Sequence, residues 1–145
     1  MATRTETLAA ALAAAFEPPL TSVTVALGEV TVVVATERLA DVMRALHDRP
    51  EFRFESLIDA CGVDYSTYGD GARDGARFAA VYHLLSLSHN HRLRVRAFAV
   101  DDGFPILPSV VDVWPAANWF EREAFDLYGI LQLQNKIWRT NTIAR

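Results

Sequence analysis

FAAVYHLLSLSHNHRLRVRAFA, residues 78–99, decides the fold. Residues 78–87 are apolar on both alternating faces, which suits a central strand covered on both sides. Ser88-His89-Asn90 supplies a turn. From 91 to 99 the alternation is strict, with Leu93, Val95, Ala97 and Ala99 on one face and Arg92, Arg94 and Arg96 on the other. That is a half-buried strand whose arginines face solvent or a partner. Two such runs joined by a short polar turn make a hairpin.

Working outward, TSVTVAL and VTVVVA flank Gly28-Glu29 and predict a second hairpin over about 21–35. Thr36 is a candidate N-cap for a helix in which Leu39, Val42, Met43 and Leu46 form one apolar stripe. Pro50 marks its end. That stripe reads as core packing, not as a cofactor face. Residues 54–61 are ambiguous: Phe54, Leu57, Ile58 and Cys61 fit a short helix, while CGVDYSTY beyond it looks strand-like. GDGARDG, residues 69–75, is a loop by composition, and Asp101-Asp102-Gly103 is a turn. Ser109 with Asp112, and Asn118 with Glu121, have the spacing of capping boxes, the second opening the helix NWFEREAFDLYG with Gly129 just past its end.

The N-terminal LAAALAAAF, residues 8–16, has the composition of a signal-peptide core. Leu8, Leu12 and Phe16 recur at helical spacing, however, and Glu6 stands where a basic flank belongs. A helix over about 3–16, ended by Pro18 and Pro19, is the better reading. The sum is one α+β domain over residues 1–145, a mostly antiparallel sheet of about five strands covered by two or three helices.

Composition narrows the function. Hydrophobic residues at 51% suffice for one core and argue against disorder. A net charge of −4 argues against phosphate-backbone binding, so nucleic acid is not expected as a partner. No run approaches the roughly 18 apolar residues of a membrane span. Cys61 is the only cysteine, so no intrachain disulfide, Cys-rich zinc site or thiolate-ligated iron–sulfur cluster can form. No GxGxxG, GxxxxGK[ST] or GxSxG pattern is present. His89-x-His91 lacks further ligands at metal spacing and reads as a polar hairpin tip. His83 sits in an apolar strand and reads as a core or edge residue. His47 lies near a helix C-terminus, where positive charge is favoured.

The segment PSVVDVWPAANWFEREAFDLYGI, residues 108–130, resembles the signature of the thirty-kilodalton subunit family of respiratory NADH:quinone oxidoreductase, complex I. The matching residues are Trp114, Ala116, Ala117, Asn118, Trp119, Phe120, Glu121, Arg122, Glu123, Phe125, Asp126, Leu127, Tyr128 and Gly129. Phe54, Leu57, Asp59, Val63, Asp64 and Tyr65, and the hairpin RFAAVYHLLSLSHNHRLRVR, are similar to two further family blocks. The resemblance covers about residues 20–130. It implies a subunit of the hydrophilic arm, peripheral on the cytoplasmic side of the bacterial cell membrane and packed against the forty-nine-kilodalton-type subunit. It also implies that NADH, flavin, iron–sulfur clusters and quinone belong to neighbours, with no cofactor or metal on this chain. Related subunits occur in membrane-bound hydrogenases. After Gly129-Ile130 the family continues with Gly-His-Pro-x-Leu-x-Arg, whereas this chain reads LQLQNKIWRTNTIAR.

The signature residues Asn118, Trp119, Phe120, Glu121, Arg122, Glu123, Asp126, Tyr128 and Gly129 are therefore expected to position the helix or dock a partner. Arg122 and Asp126, four apart, have pairing distance on a helix. A solvated charged face is the plainer reading of these charges, but interleaved aromatics suit an interface. A small stand-alone enzyme using Glu121, Glu123 or His83 in a cleft is the competing class.

Overall fold

The computed structural model describes residues 4–16, 20–26, 28–64, 77–99 and 105–133. The elements run α1 (Arg4–Phe16), β1 (Leu20–Ala26), β2 (Glu29–Val34), a 3-10 turn (Thr36–Arg38), α2 (Leu39–Asp48), β3 (Ser56–Asp64), β4 (Phe78–Ser86), β5 (His91–Phe98), β6 (Ile106–Pro108), α3 (Ala117–Tyr128) and β7 (Leu131–Leu133). Five strands form one sheet in the order β1-β2-β5-β4-β3. Three of its pairings are antiparallel and β2–β5 is parallel. The α+β architecture follows the sequence. The small parallel ribbon β6–β7 has no counterpart among the sequence expectations.

The helices stand on one face of the sheet. Leu8, Leu12 and Phe16 of α1, and Leu39, Val42, Met43 and Leu46 of α2, share one buried cluster with Val30, Val32, Tyr82, Leu93 and Val95. Each such side chain contributes about 1.5–3 kcal/mol relative to exposure. The alternation in β5 is as expected: Leu93, Val95, Ala97 and Ala99 are buried, and Arg92, Arg94 and Arg96 point to the other face. Gly28 turns the β1–β2 hairpin at φ 76°, a left-handed conformation that costs glycine little.

Residues 56–64 are a strand, not the continuation of a short helix from 54. A bulge between Leu57 and Asp59 explains the difference. Leu57 packs against the core while Ile58 turns outward, so the alternation slips and apolar residues at 57, 58 and 61 imitate helical spacing. The caps also differ. Thr36 caps no helix: it opens the 3-10 turn, and its hydroxyl donates to the Phe98 carbonyl, tying the helix layer to the end of β5. Ser109 begins a turn, not a helix; its Oγ accepts the Val111 amide at 3.1 Å. Asn118 lies inside α3, which starts at Ala117 through short-range bonds from Ala117 N to Trp114 O and Asn118 N to Pro115 O. The predicted loop at 69–75, the turn at 101–103 and the divergent stretch 134–145 lie outside the described residues.

Candidate interaction surface

Helix α3 sits on a narrow inner face. Ala117 and Ala124 are buried, and Phe120 and Glu121 are half-buried. Small residues let the helix lie close to β3, and Gly62 takes this furthest. A Cβ there would come within 2.9 Å of Ile130 Cδ1 and of Tyr128 Cδ2. Gly129 then adopts φ 72° and donates its amide to Phe125 O at 2.8 Å, ending the helix. The reversal drops Ile130 into the core with no exposed surface.

Glu121 fixes the other side of the helix. Its carboxylate accepts the Ser109 hydroxyl at 2.6 Å and the Val110 amide at 2.9 Å. Burial pushes its pKa upward; those two bonds oppose the rise, and nearby Asp112 adds to it. Tyr82 lies fully buried, with its phenol oxygen accepting the Gln132 side-chain amide at 2.8 Å. Burial, with Glu121 nearby, drives the phenol far above its ordinary value, so it stays neutral. Trp114 is buried and donates its indole N–H to the Phe54 carbonyl at 3.0 Å. It joins the α3 entrance to the start of β3.

The outward side of α3 is unlike an ordinary solvated helix. Trp119 is 69% exposed, Leu127 65%, Phe125 51% and Tyr128 38%. Trp119, Arg122, Glu123, Asp126 and Leu127 line a shallow groove of about 420 Å³. Among the described residues Arg122 and Asp126 form no ion pair, so the expected i,i+4 bond is not made. Both charges stay available beside the tryptophan. The signature thus divides: Phe120, Glu121, Tyr128 and Gly129 hold the helix in place, Tyr128 lying against Gly62, while Asn118, Trp119, Arg122, Glu123 and Asp126 face outward.

The candidate catalytic groups do not converge. Glu121 is engaged by Ser109 and Val110, Glu123 lines the α3 groove, and His83 lines a different groove with Glu29, Asp59 and Arg94. The His89 and His91 rings stack at 5.9 Å, and His89 Nε2–H donates to Pro50 O at 2.7 Å. Among the described residues no three His, Cys, Asp or Glu side chains are grouped to hold a metal ion. No helix among them is long and apolar enough to cross a membrane. The Ser109–Glu121 and Tyr82–Gln132 bonds escape a reading of the sequence. Gly62 has a legible cue, since a lone strand glycine marks close backbone approach.

A family profile described as respiratory-chain NADH dehydrogenase, 30 Kd subunit, matches residues 32–137. The chain belongs to this family. The match contains all of α3 and the sheet apart from β1 and the start of β2. The C subunit of NADH-quinone oxidoreductase from Burkholderia multivorans is 60% identical over 131 residues, covering 90% of this chain and 66% of the relative. The proteins of the same name from Burkholderia cenocepacia and Burkholderia vietnamiensis are 59% and 56% identical over the same lengths. The chain therefore spans 66% of the length of these family relatives. In the solved structure of the membrane-bound sulfane sulfur reductase, an archaeal respiratory membrane complex, one chain aligns with TM-score 0.65 and 20% identity, covering 88% of this chain and 68% of that one. At that identity the likeness concerns the fold alone.

Proposed function

We propose that this chain is a non-catalytic structural subunit of the peripheral arm of respiratory NADH:quinone oxidoreductase, docking to the forty-nine-kilodalton-type subunit through the outward face of α3. The observation that carries this reading is the exposed Trp119–Leu127 face, lying within the family signature. A 12-residue helix that buries only two alanines while presenting Trp119, Phe125 and Leu127 is suited to a partner that covers them. The unpaired Arg122 and Asp126 supply a polar rim that selects orientation.

In this role the chain holds redox subunits in register while electrons pass from NADH toward quinone. NADH, flavin, iron–sulfur clusters and quinone belong to its neighbours, on the cytoplasmic side of the bacterial cell membrane. One cysteine in the whole chain supports that division, because thiolate-ligated clusters need several. The equivalent place in a membrane-bound hydrogenase is the second reading; identities of 56–60% to NADH-quinone oxidoreductase subunits favour the first.

Co-purification with the forty-nine-kilodalton-type subunit from the same source tests it. A 1:1 complex on size exclusion is expected. Failure to bind, or a stoichiometric flavin, cluster or metal in the purified chain, would overturn the proposal.

A further inference from the structure

The sheet has a second face, opposite α1 and α2 and without a described helix. Strand register places Thr31, Arg94, His83 and Asp59 side by side across β2, β5, β4 and β3, with Arg96 in the next row. The bulge in β3 turns Ile58 toward this face, where it is 50% exposed. Ile58, His83, Arg92 and Arg94 line an open groove of about 270 Å³.

The charges here run against the rest of the protein. The chain carries −4 overall, yet this face presents three arginines against Glu29 and Asp59. Glu29 is already held by Arg94 at 2.8 Å. Arg92 is exposed and Arg96 half-buried, and neither forms an ion pair among the described residues. A guanidinium without an anionic partner has a carboxylate as its natural complement. Glu29 and Asp59 beside the arginines would repel a phosphate backbone, so mixed charge around an apolar centre favours a protein surface.

We propose that this outer sheet face is a second docking surface, occupied by an acidic segment of a neighbouring subunit. Its carboxylates pair with Arg92 and Arg96, and an apolar side chain covers Ile58. The inference rests on the subunit role proposed above. It adds a contact across the sheet from α1 and α2, so that the domain is gripped at more than α3.

The test places a reporter three strands from β3, against which α3 packs. Thr31→Cys in a Cys61→Ser chain is labelled with a small maleimide, free and in the assembled complex, and Arg92→Glu is titrated in parallel. Arg92 makes no ion pair within the described chain, so its reversal leaves folding intact, which a melting curve verifies. Labelling at least tenfold slower in the complex is expected, together with roughly tenfold weaker assembly of Arg92→Glu at low salt that converges with the parent chain at high salt. Incorporation with labelling at the free rate would overturn this surface while leaving the α3 reading standing. No incorporation of the parent chain would remove both. Protection in the isolated chain that grows with its concentration would make the occupant a second copy and overturn the proposal.

Discussion

Replacing Trp119 by alanine separates docking from folding. The indole keeps 69% of its surface open, which for a side chain of roughly 250 Å² leaves about 170 Å² for a partner to cover. At about 25 cal/mol per Å² the ceiling is about 4 kcal/mol. Incomplete coverage and the cost of ordering the side chain reduce this to about 2–3 kcal/mol, or about 30- to 150-fold in Kd. Folding should barely respond, because the position is on the open side of α3 and alanine is the better helix former, so a change within about 1 kcal/mol is expected. Calorimetric titration against the forty-nine-kilodalton-type subunit measures the first quantity and urea unfolding the second. A large fall in the urea midpoint with unchanged affinity would refute the assignment and make Trp119 a core residue.

Three further substitutions probe how α3 is held. Gly62→Ala forces Ile130 and Tyr128 to move; Tyr128 can swing outward but Ile130 is wholly buried, so about 1–3 kcal/mol of overpacking, partly offset by about 0.4–1 kcal/mol from a stiffer unfolded chain, should lower the urea midpoint at constant slope. Trp114→Phe leaves the Phe54 carbonyl without its indole donor and should cost about 1–3 kcal/mol, read from thermal unfolding; an unchanged melting temperature would show that bond to be dispensable. Glu121 has a raised pKa in the folded state, so it contributes stability that is complete below its unfolded pKa and is lost as pH rises through the folded one. Glu121→Gln should abolish that slope just above the ordinary glutamate range, and urea midpoints across pH for both proteins that stayed parallel would contradict it.

The strands with strict alternation are legible in the sequence because burial on one side leaves a two-residue period that nothing else imitates. Leu93 to Ala99 is the clearest case. The bulge at Leu57–Asp59 defeats the same logic, since one extra residue converts a strand pattern into a passable helix pattern. Cap spacing misleads at Thr36, Ser109 and Asn118. Thr36 and Ser109 spend their hydroxyls on tertiary partners, Phe98 and Glu121, which lie 62 and 12 residues away. Asn118 already stands inside the helix it was expected to cap. The α3 signature is visible as a string, but not its division into residues that hold the helix and residues that face outward. That division depends on which side of the helix meets Gly62, a fact of packing between distant segments.

The parallel β2–β5 ladder has a kinetic consequence. β3, β4 and β5 follow one another and pair as neighbours, and β1 pairs with β2 across a short turn. Joining the two blocks requires Thr31 to meet Arg94, with α2 and all of β3 and β4 lying between them in the chain. Closing so long a loop is entropically expensive before any contact rewards it. The expected order is that the meander and the hairpin form separately and their joining sets the rate. Truncating Val32 should then chiefly speed unfolding, and truncating Tyr82 should slow folding. Stopped-flow chevrons showing equal partition for both would contradict this order. During synthesis, the β1–β2 hairpin would thus wait with one edge unpaired until residues 91–98 emerge to claim it.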